Sequence, residues 1–171
     1  MSWIRSAVVF ALVAVAVPVF AQETPRIAAV KVSYVAQASS FGKAALLRID
    51  DAAKKKDAEL SAKAAELQKQ QAELQGGIGL SERARADLQR AFDRARVDFD
   101  RLREDAQQEL QGLQAQFEAD LRVRLGPVVD EIAKEKGYQF VFNADDNPLV
   151  AWFAPAADIS DEVVKRLDAK R

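Results

Sequence analysis

A long apolar stripe with helical spacing, in a segment free of proline, is the feature that most constrains how this chain folds. From Ala84 to Leu125 an apolar side chain occurs at every third or fourth position. The steps average about 3.7 residues, which predicts one long, weakly supercoiled helix. No proline lies between Pro25 and Pro127, so nothing there forces a helix to stop. The stripe consists of Ala84, Leu88, Phe92, Ala95, Phe99, Leu102, Ala106, Leu110, Leu113, Phe117, Leu121 and Leu125.

A second helix with a narrower apolar seam is predicted before this one. Apolar residues recur seven positions apart, and the positions between them are a mixture of alanine and polar residues. The surrounding Ala, Gln, Glu and Lys residues all favour helix. The seam consists of Leu46, Ala53, Leu60, Leu67 and Leu74.

The five residues QGGIG, at positions 75–79, separate the two helices and predict a sharp reversal of the chain. Glycine adopts the left-handed conformation that ends helices, and Ser81 can cap the helix that follows. We therefore predict an antiparallel hairpin arm over residues 42–125, with its tip at 76–80. A compact bundle is the alternative, but it needs two more long helices that the remaining sequence does not provide. The tip residues are Gly76, Gly77, Ile78, Gly79 and Leu80.

Both ends of the chain beyond the arm show β-strand patterns. Arg26–Val35 is rich in Val and Ile, which favour strands. As a strand, this segment would place Val30, Val32 and Tyr34 on one face. Tyr138–Phe142 and Leu149–Ala154 flank the turn sequence NADDNP, and this arrangement predicts a β-hairpin.

Three further signals shape the C-terminal part. The Gly126–Pro127 pair should bend or interrupt the second long helix where it enters the body, because proline lacks the N–H that a helix interior needs. Gly137 is expected to stop a helix. A last short helix should begin at Asp158 or Ser160. Its expected inward-facing residues are Val163, Val164 and Leu167.

The predicted fold class is α+β: a small β body built by strands from both ends, with a long antiparallel α-helical hairpin, a coiled-coil tentacle, inserted between them. The body comprises residues 22–41 and 126–171. A sheet this small cannot shelter its aromatic side chains alone. We therefore expect several copies to share one β core. The expected oligomerisation core consists of Val30, Val32, Tyr138, Phe140, Phe142 and Trp152.

Residues 1–21 have the organisation of a cleaved secretory signal peptide. Arg5 provides an early positive charge, Ala7–Val17 is apolar, and small residues near Ala21 resemble a cleavage site. A membrane anchor is the alternative, but the uncharged stretch is barely as long as the ~20 residues that a spanning helix needs. The sequence therefore predicts that the protein is exported.

The composition argues against several classes of function. Cysteine and histidine are both absent, which removes Cys- and His-based metal sites and the common Ser–His and Cys–His nucleophile pairs. Phosphate-binding glycine motifs are absent as well. The formal net charge of −1 gives no overall attraction to nucleic acid. We expect no catalytic residues, no cofactor or metal, and no nucleic-acid partner.

The chain resembles the Skp/OmpH family of periplasmic chaperones over residues 24–170. The segments that carry the resemblance are RIAAVKVSYV near the start, the long Gln/Ala/Lys/Asp arm, and YQFVFNADDNPLVAW with DISDEVVKRLD near the end. The resemblance implies a homotrimer in which a β body joins three tentacles around a cavity. Unfolded outer-membrane proteins would be held in that cavity without ATP.

One departure from the family concerns charge. Family members are commonly basic along the tentacles, whereas residues 42–125 here carry 16 basic and 16 acidic side chains. Contact with clients, anionic lipid or lipopolysaccharide is expected at local basic clusters. These are Lys54, Lys55, Lys56, Arg83, Arg85 and Arg90. An envelope adaptor that docks a partner through its hairpin is the alternative function, although no barrel or lipoyl-like module flanks the hairpin.

Overall fold

The computed structural model describes residues 24–76, 81–145 and 150–170. The expected signal peptide and most of the expected arm tip (Gly77, Ile78, Gly79 and Leu80) lie outside these residues. In chain order the elements are β1 (Ile27–Val30), α1 (Val32–Ala38), α2 (Ser40–Gly76), α3 (Glu82–Lys136), β2 (Phe140–Asn143), a 3₁₀ helix (Pro155–Ala157) and α4 (Ser160–Ala169).

Helices α2 and α3 form the predicted antiparallel hairpin. Helix α2 begins two residues before the expected arm, and α3 continues eleven residues beyond its expected end at residue 125. The hydroxyl of Ser81 accepts a hydrogen bond from the N–H of Ala84 at 3.3 Å, so the predicted cap of α3 is confirmed. Gly137 ends α3 with φ of 67°, which is the left-handed conformation predicted for it. Lys56 of α2 pairs with Glu109 of α3 at 2.7 Å, which is an ion pair between the two helices.

The expectation of one strand from Arg26 to Val35 is wrong. The strand ends at Val30, and Val32–Ala38 forms helix α1, which buries Val35 completely. The N–H and hydroxyl of Ser33 donate to the carboxylate of Asp145, at 2.5 and 2.7 Å. This carboxylate satisfies a free N–H of the first helical turn from 112 residues away, so the local β preference of the segment is overridden.

The predicted hairpin between the second and third strands is also wrong. Strand β2 pairs with β1, in parallel, with Ile27 opposite Phe140 and Val30 opposite Asn143. Residues 150–154 form no strand. The segment that leads into α4 lies along the other edge of β1. There Ala29 forms an isolated β-bridge with Asp158, and the carbonyl of Ala29 accepts a hydrogen bond from the N–H of Ile159.

The core of the body forms where β1, α1, α3 and α4 meet. Its largest fully buried apolar side chains are Val35, Val128, Ile132 and Val163. The inward-facing residues predicted for α4 are confirmed, since Val163 and Leu167 are buried and Val164 packs against the same cluster. The remaining buried members are Ala28, Val30, Leu121, Leu125 and Ile159.

Helix α3 continues through Pro127. Of the two expected outcomes, a bend or an interruption of the helix, the interruption does not occur. A proline in a helix interior costs about 3 kcal/mol because it removes one hydrogen bond and crowds the preceding turn. Leu121 and Leu125 before it, and Val128 and Ile132 after it, all belong to the body core. Four buried aliphatic side chains at about 1.5–3 kcal/mol each exceed that cost. The expected body–arm boundary at residue 126 therefore lies within a helix.

Helix α2 begins in close contact with α1. Ser39 is fully buried, and its hydroxyl accepts a hydrogen bond from the N–H of Gly42 at 3.1 Å. A Cβ atom added at Gly42 would lie 1.7 Å from the carbonyl oxygen of Ala36. The two helices can therefore cross at this separation because residue 42 has no side chain.

Candidate functional site

The outer face of the two-stranded sheet carries a contiguous apolar surface, the aromatic patch (Ile27, Phe140, Phe142 and Trp152). Alternation along the paired strands turns Ala28, Val30 and Val141 toward the core and leaves Ile27, Phe140 and Phe142 on the opposite face. The rings of Phe140 and Phe142 stack with centroids 6.2 Å apart.

The members of the aromatic patch are unusually exposed for large apolar side chains. Trp152 is 80% exposed, Phe140 56% and Phe142 42%. Ile27, Phe142 and Trp152 together line a cavity of about 210 Å³, so these three residues share one surface. An apolar surface of this kind on a water-exposed body indicates a binding interface.

The six residues expected to form the oligomerisation core are divided by the structure. Val30 is buried within the chain's own core, and Val32 and Tyr138 pack against that core. The guanidinium of Arg26 lies over the Tyr138 ring, 5.8 Å from its centroid. Phe140, Phe142 and Trp152 face outward. Sequence reasoning omitted Ile27, although alternation along the predicted strand places it on the face opposite to Val30.

The apolar stripe of α3 faces α2 along the arm, as its spacing predicted. Phe117 packs near Phe41 with ring centroids 6.0 Å apart, and the guanidinium of Arg124 lies 4.3 Å from the centre of the Phe41 ring. On the opposite side of α2 the alanines are exposed and form a mildly apolar wall. They are Ala58, Ala62, Ala65 and Ala72.

Several of the basic residues predicted to contact clients or lipid already have acidic partners. Lys54 pairs with Asp50 at 2.6 Å, and this hydrogen bond raises the pKa of Lys54. Lys56, whose pKa is raised by its hydrogen bond to Glu109, spans the hairpin.

The other basic residues lie on the solvent side of the arm. Arg90 pairs with Asp87, and Arg83 and Arg85 lie at exposed positions near the start of α3. Lys55 lines a surface cavity of about 500 Å³ together with Asp51 and Glu59. The structure therefore does not bring the six residues together into one basic surface.

A network of ion pairs joins α4 to the C-terminal end of α3 within the body. Arg166 donates to both carboxylate oxygens of Glu135, at 2.8 and 2.5 Å, and to Glu162 at 2.7 Å. Lys136 pairs with the same Glu162. The hydrogen bond from Arg166 lowers the pKa of Glu135, and hydrogen bonds from Lys136 and then Arg166 lower the pKa of Glu162.

Acid should loosen the contact between α4 and α3. Because the folded-state pKa values of Glu135 and Glu162 lie below their ordinary value of 4.5, their contribution to stability is present above pH 4.5 and is lost as the pH falls through the lowered values. Urea unfolding of wild type and Arg166→Met, at pH 7 and about pH 3.5, measures this. The variant should have the lower midpoint at pH 7 and lose less on acidification. Parallel pH profiles for the two proteins would contradict the assignment.

Two further kinds of feature, a metal site and a membrane-spanning helix, were looked for among the described residues. Within residues 24–76, 81–145 and 150–170 no cluster of acidic side chains has the arrangement of a metal site. Across the same ranges, no helix combines the length and apolar character that crossing a membrane requires.

The fold and its surfaces define a class of protein in which a small body projects a long α-helical hairpin and exposes an aromatic patch. Residues 26–167 match the family model described as "Outer membrane protein (OmpH-like)". The chain therefore belongs to the OmpH-like family, and the resemblance drawn from its sequence is confirmed.

A solved structure supports the same fold. It is that of a proposed outer membrane chaperone (OmpH-like) from Caulobacter crescentus, with a TM-score of 0.74 and 18% sequence identity over 86% of each chain. At this level of identity the similarity shows the shared architecture alone. No curated protein matches the chain.

Proposed function

We propose that this protein is an ATP-independent holding chaperone of the periplasm, which binds unfolded outer-membrane proteins and prevents their aggregation. The observation that carries the proposal is the aromatic patch on a body from which a long arm projects. Further copies of the chain would cover the patch, and each copy would add another arm around a common centre. The family resemblance makes a homotrimer the expected assembly.

Burial of the patch would provide the free energy of association. Fully burying a large apolar side chain contributes about 1.5–3 kcal/mol. Trp152 and Phe140 each expose more than half of their surface, so they have the most to gain. Because the patch lies on the body, association there leaves the arms free to surround a client.

The arms would hold clients by many weak contacts. The exposed alanine wall of α2 offers shallow apolar contact, and the mixed charges of the outer surfaces keep empty arms soluble. Several weak contacts made at once give useful avidity while each remains easily broken. Release therefore needs no nucleotide. Anionic lipid or lipopolysaccharide is a further proposed partner, through exposed basic residues such as Lys55 and Arg83.

Suppression of aggregation tests the proposed function. A β-barrel outer-membrane protein unfolded in urea is diluted into buffer with a stoichiometric excess of residues 22–171, without nucleotide, and light scattering is followed. We expect scattering to be largely abolished, whereas an inert helical protein at the same concentration should leave it unchanged. Equal scattering in the two samples would refute the holding function.

A further inference from the structure

A groove lies where the body meets the arm, between α3 and the C-terminal ends of the two strands. Its volume is about 480 Å³. Val30, Leu121 and Leu125 line it and are themselves buried in the body core. Val32 and Val129 also line it, and both are half-buried and packed against the same core. The apolar lining of this body–arm groove is therefore held in place by the core.

Polar side chains lie beside the apolar ones in the body–arm groove. Glu118, Arg122 and Asn143 line it and are exposed. Arg122 and the amide of Asn143 carry N–H donors, and Glu118 carries acceptor oxygens. The Oδ1 atom of Asn143 accepts a hydrogen bond from the N–H of Asp145 at 3.0 Å, which orients the amide. A docking polypeptide needs donors and acceptors of this kind, because its own N–H and C=O groups lose water.

The size of the groove favours one short segment of chain over a second copy of the protein. Nine described residues line it, whereas each side of a stable protein–protein interface has about 20–30 residues. Between Glu118 and Val129 the wall that α3 provides is about 16 Å long, which matches about five residues of extended chain. None of the lining residues belongs to the aromatic patch, so joining the bodies through that patch does not use the groove.

We propose that the body–arm groove binds an extended segment of the unfolded client in which apolar and polar residues alternate. The inference rests on the proposed function and adds a site to it. Successive side chains of an extended chain point to opposite sides. An alternating segment therefore places its apolar side chains on Val32 and Val129 and turns its polar ones toward water. The strands of membrane β-barrels have this alternation, so the groove selects the segments that later form the barrel.

Site-specific crosslinking in the intact assembly tests the docking. The chain has no cysteine, so Arg122→Cys introduces a single thiol at the groove, to which a benzophenone is attached. The probe is a peptide of about ten residues, the length of a membrane-spanning strand, in which valine and serine alternate. We expect it to crosslink severalfold more than a peptide of the same residues in a non-alternating order. Equal crosslinking of the two peptides would overturn the proposal.

Val123→Cys with the same label is the matched control. Val123 is the next residue of α3, is 75% exposed and does not line the groove, since it lies about 100° further round the helix. The labelled control should crosslink both peptides weakly and to the same extent. Crosslinking of the alternating peptide as strong as that of the Arg122→Cys protein would contradict a site in the groove. If the label on the Arg122→Cys protein instead joins two copies of the chain, the groove is an interface between copies and the proposal fails.

Competition with a full client separates this inference from the proposed function. Excess alternating peptide should raise the light scattering of the diluted outer-membrane protein, and the reordered peptide should leave it low. If wild type suppresses aggregation but the alternating peptide neither crosslinks nor competes, the groove is not the holding site, while the holding function stands. If wild type suppresses no aggregation, the proposed function falls, while the crosslinking still decides whether the groove binds alternating segments.

Discussion

Replacing Gly42 with alanine should destabilise the folded chain by about 3 kcal/mol or more. The new Cβ atom would lie 1.7 Å from the carbonyl oxygen of Ala36, and backbone cannot yield as the end of a flexible side chain does. Helices α1 and α2 would have to separate, which would disturb the burial of Val35 and the hydrogen bond between Ser39 and Gly42. Urea unfolding followed by circular dichroism measures the loss.

Gly112→Ala is the matched control for this substitution. Gly112 lies within α3, and an added Cβ would meet nothing within 4 Å. Because alanine is the better helix former, the control should gain about 0.5–1 kcal/mol. A Gly42→Ala protein as stable as wild type would show that the close crossing of α1 and α2 does not exist.

The double substitution Phe140→Asp and Trp152→Asp should abolish association of the bodies. Central aromatic residues of interfaces often contribute about 2–4 kcal/mol each, and a carboxylate enclosed among apolar groups adds a desolvation cost. Because both residues are exposed in the single chain, each copy should still fold. Light scattering coupled to size-exclusion chromatography should then report one chain, and holding of clients should be lost.

Val97→Asp provides the control for the patch substitutions. Val97 is 49% exposed, comparable to Phe140, but it lies on the arm far along the sequence from either strand. This variant should remain an oligomer of wild-type mass. If the doubly substituted protein also keeps the wild-type mass, the aromatic patch is not the surface that joins the copies.

The arm could be predicted from the sequence because its determinants are local. The stripe from Ala84 to Leu125 fixes one face of a helix, and Ser81 and Gly137 mark its ends by their own conformations. The glycine-rich break between the helices implies their antiparallel arrangement. Each of these signals acts within a few residues, so it can be read without knowledge of the rest of the chain.

The β body could be predicted in outline, but its pairing could not. Period-two alternation indicates that 138–142 is extended, yet it does not say whether the partner is the next strand or one more than a hundred residues away. The structure pairs β2 with β1 in parallel, and Asp145 caps α1 from across the sequence. Such long-range contacts override local preference, which is why Val32 and Tyr34 are helical.

The candidate surfaces show the same limit. Aromatic residues at 140, 142 and 152 could be recognised as too many for a small sheet to bury, and they are exposed in the single chain. Val30 and Tyr138 could not be placed in the same way, because their burial depends on which element packs over them.

The mass of residues 22–171 in solution at micromolar concentration tests the central claim most directly. If the exposed aromatic patch joins the bodies into the homotrimer that the family resemblance implies, light scattering will give three times the mass of one chain. A single, soluble chain at that concentration would contradict the account, because its aromatic patch would then face water without a partner.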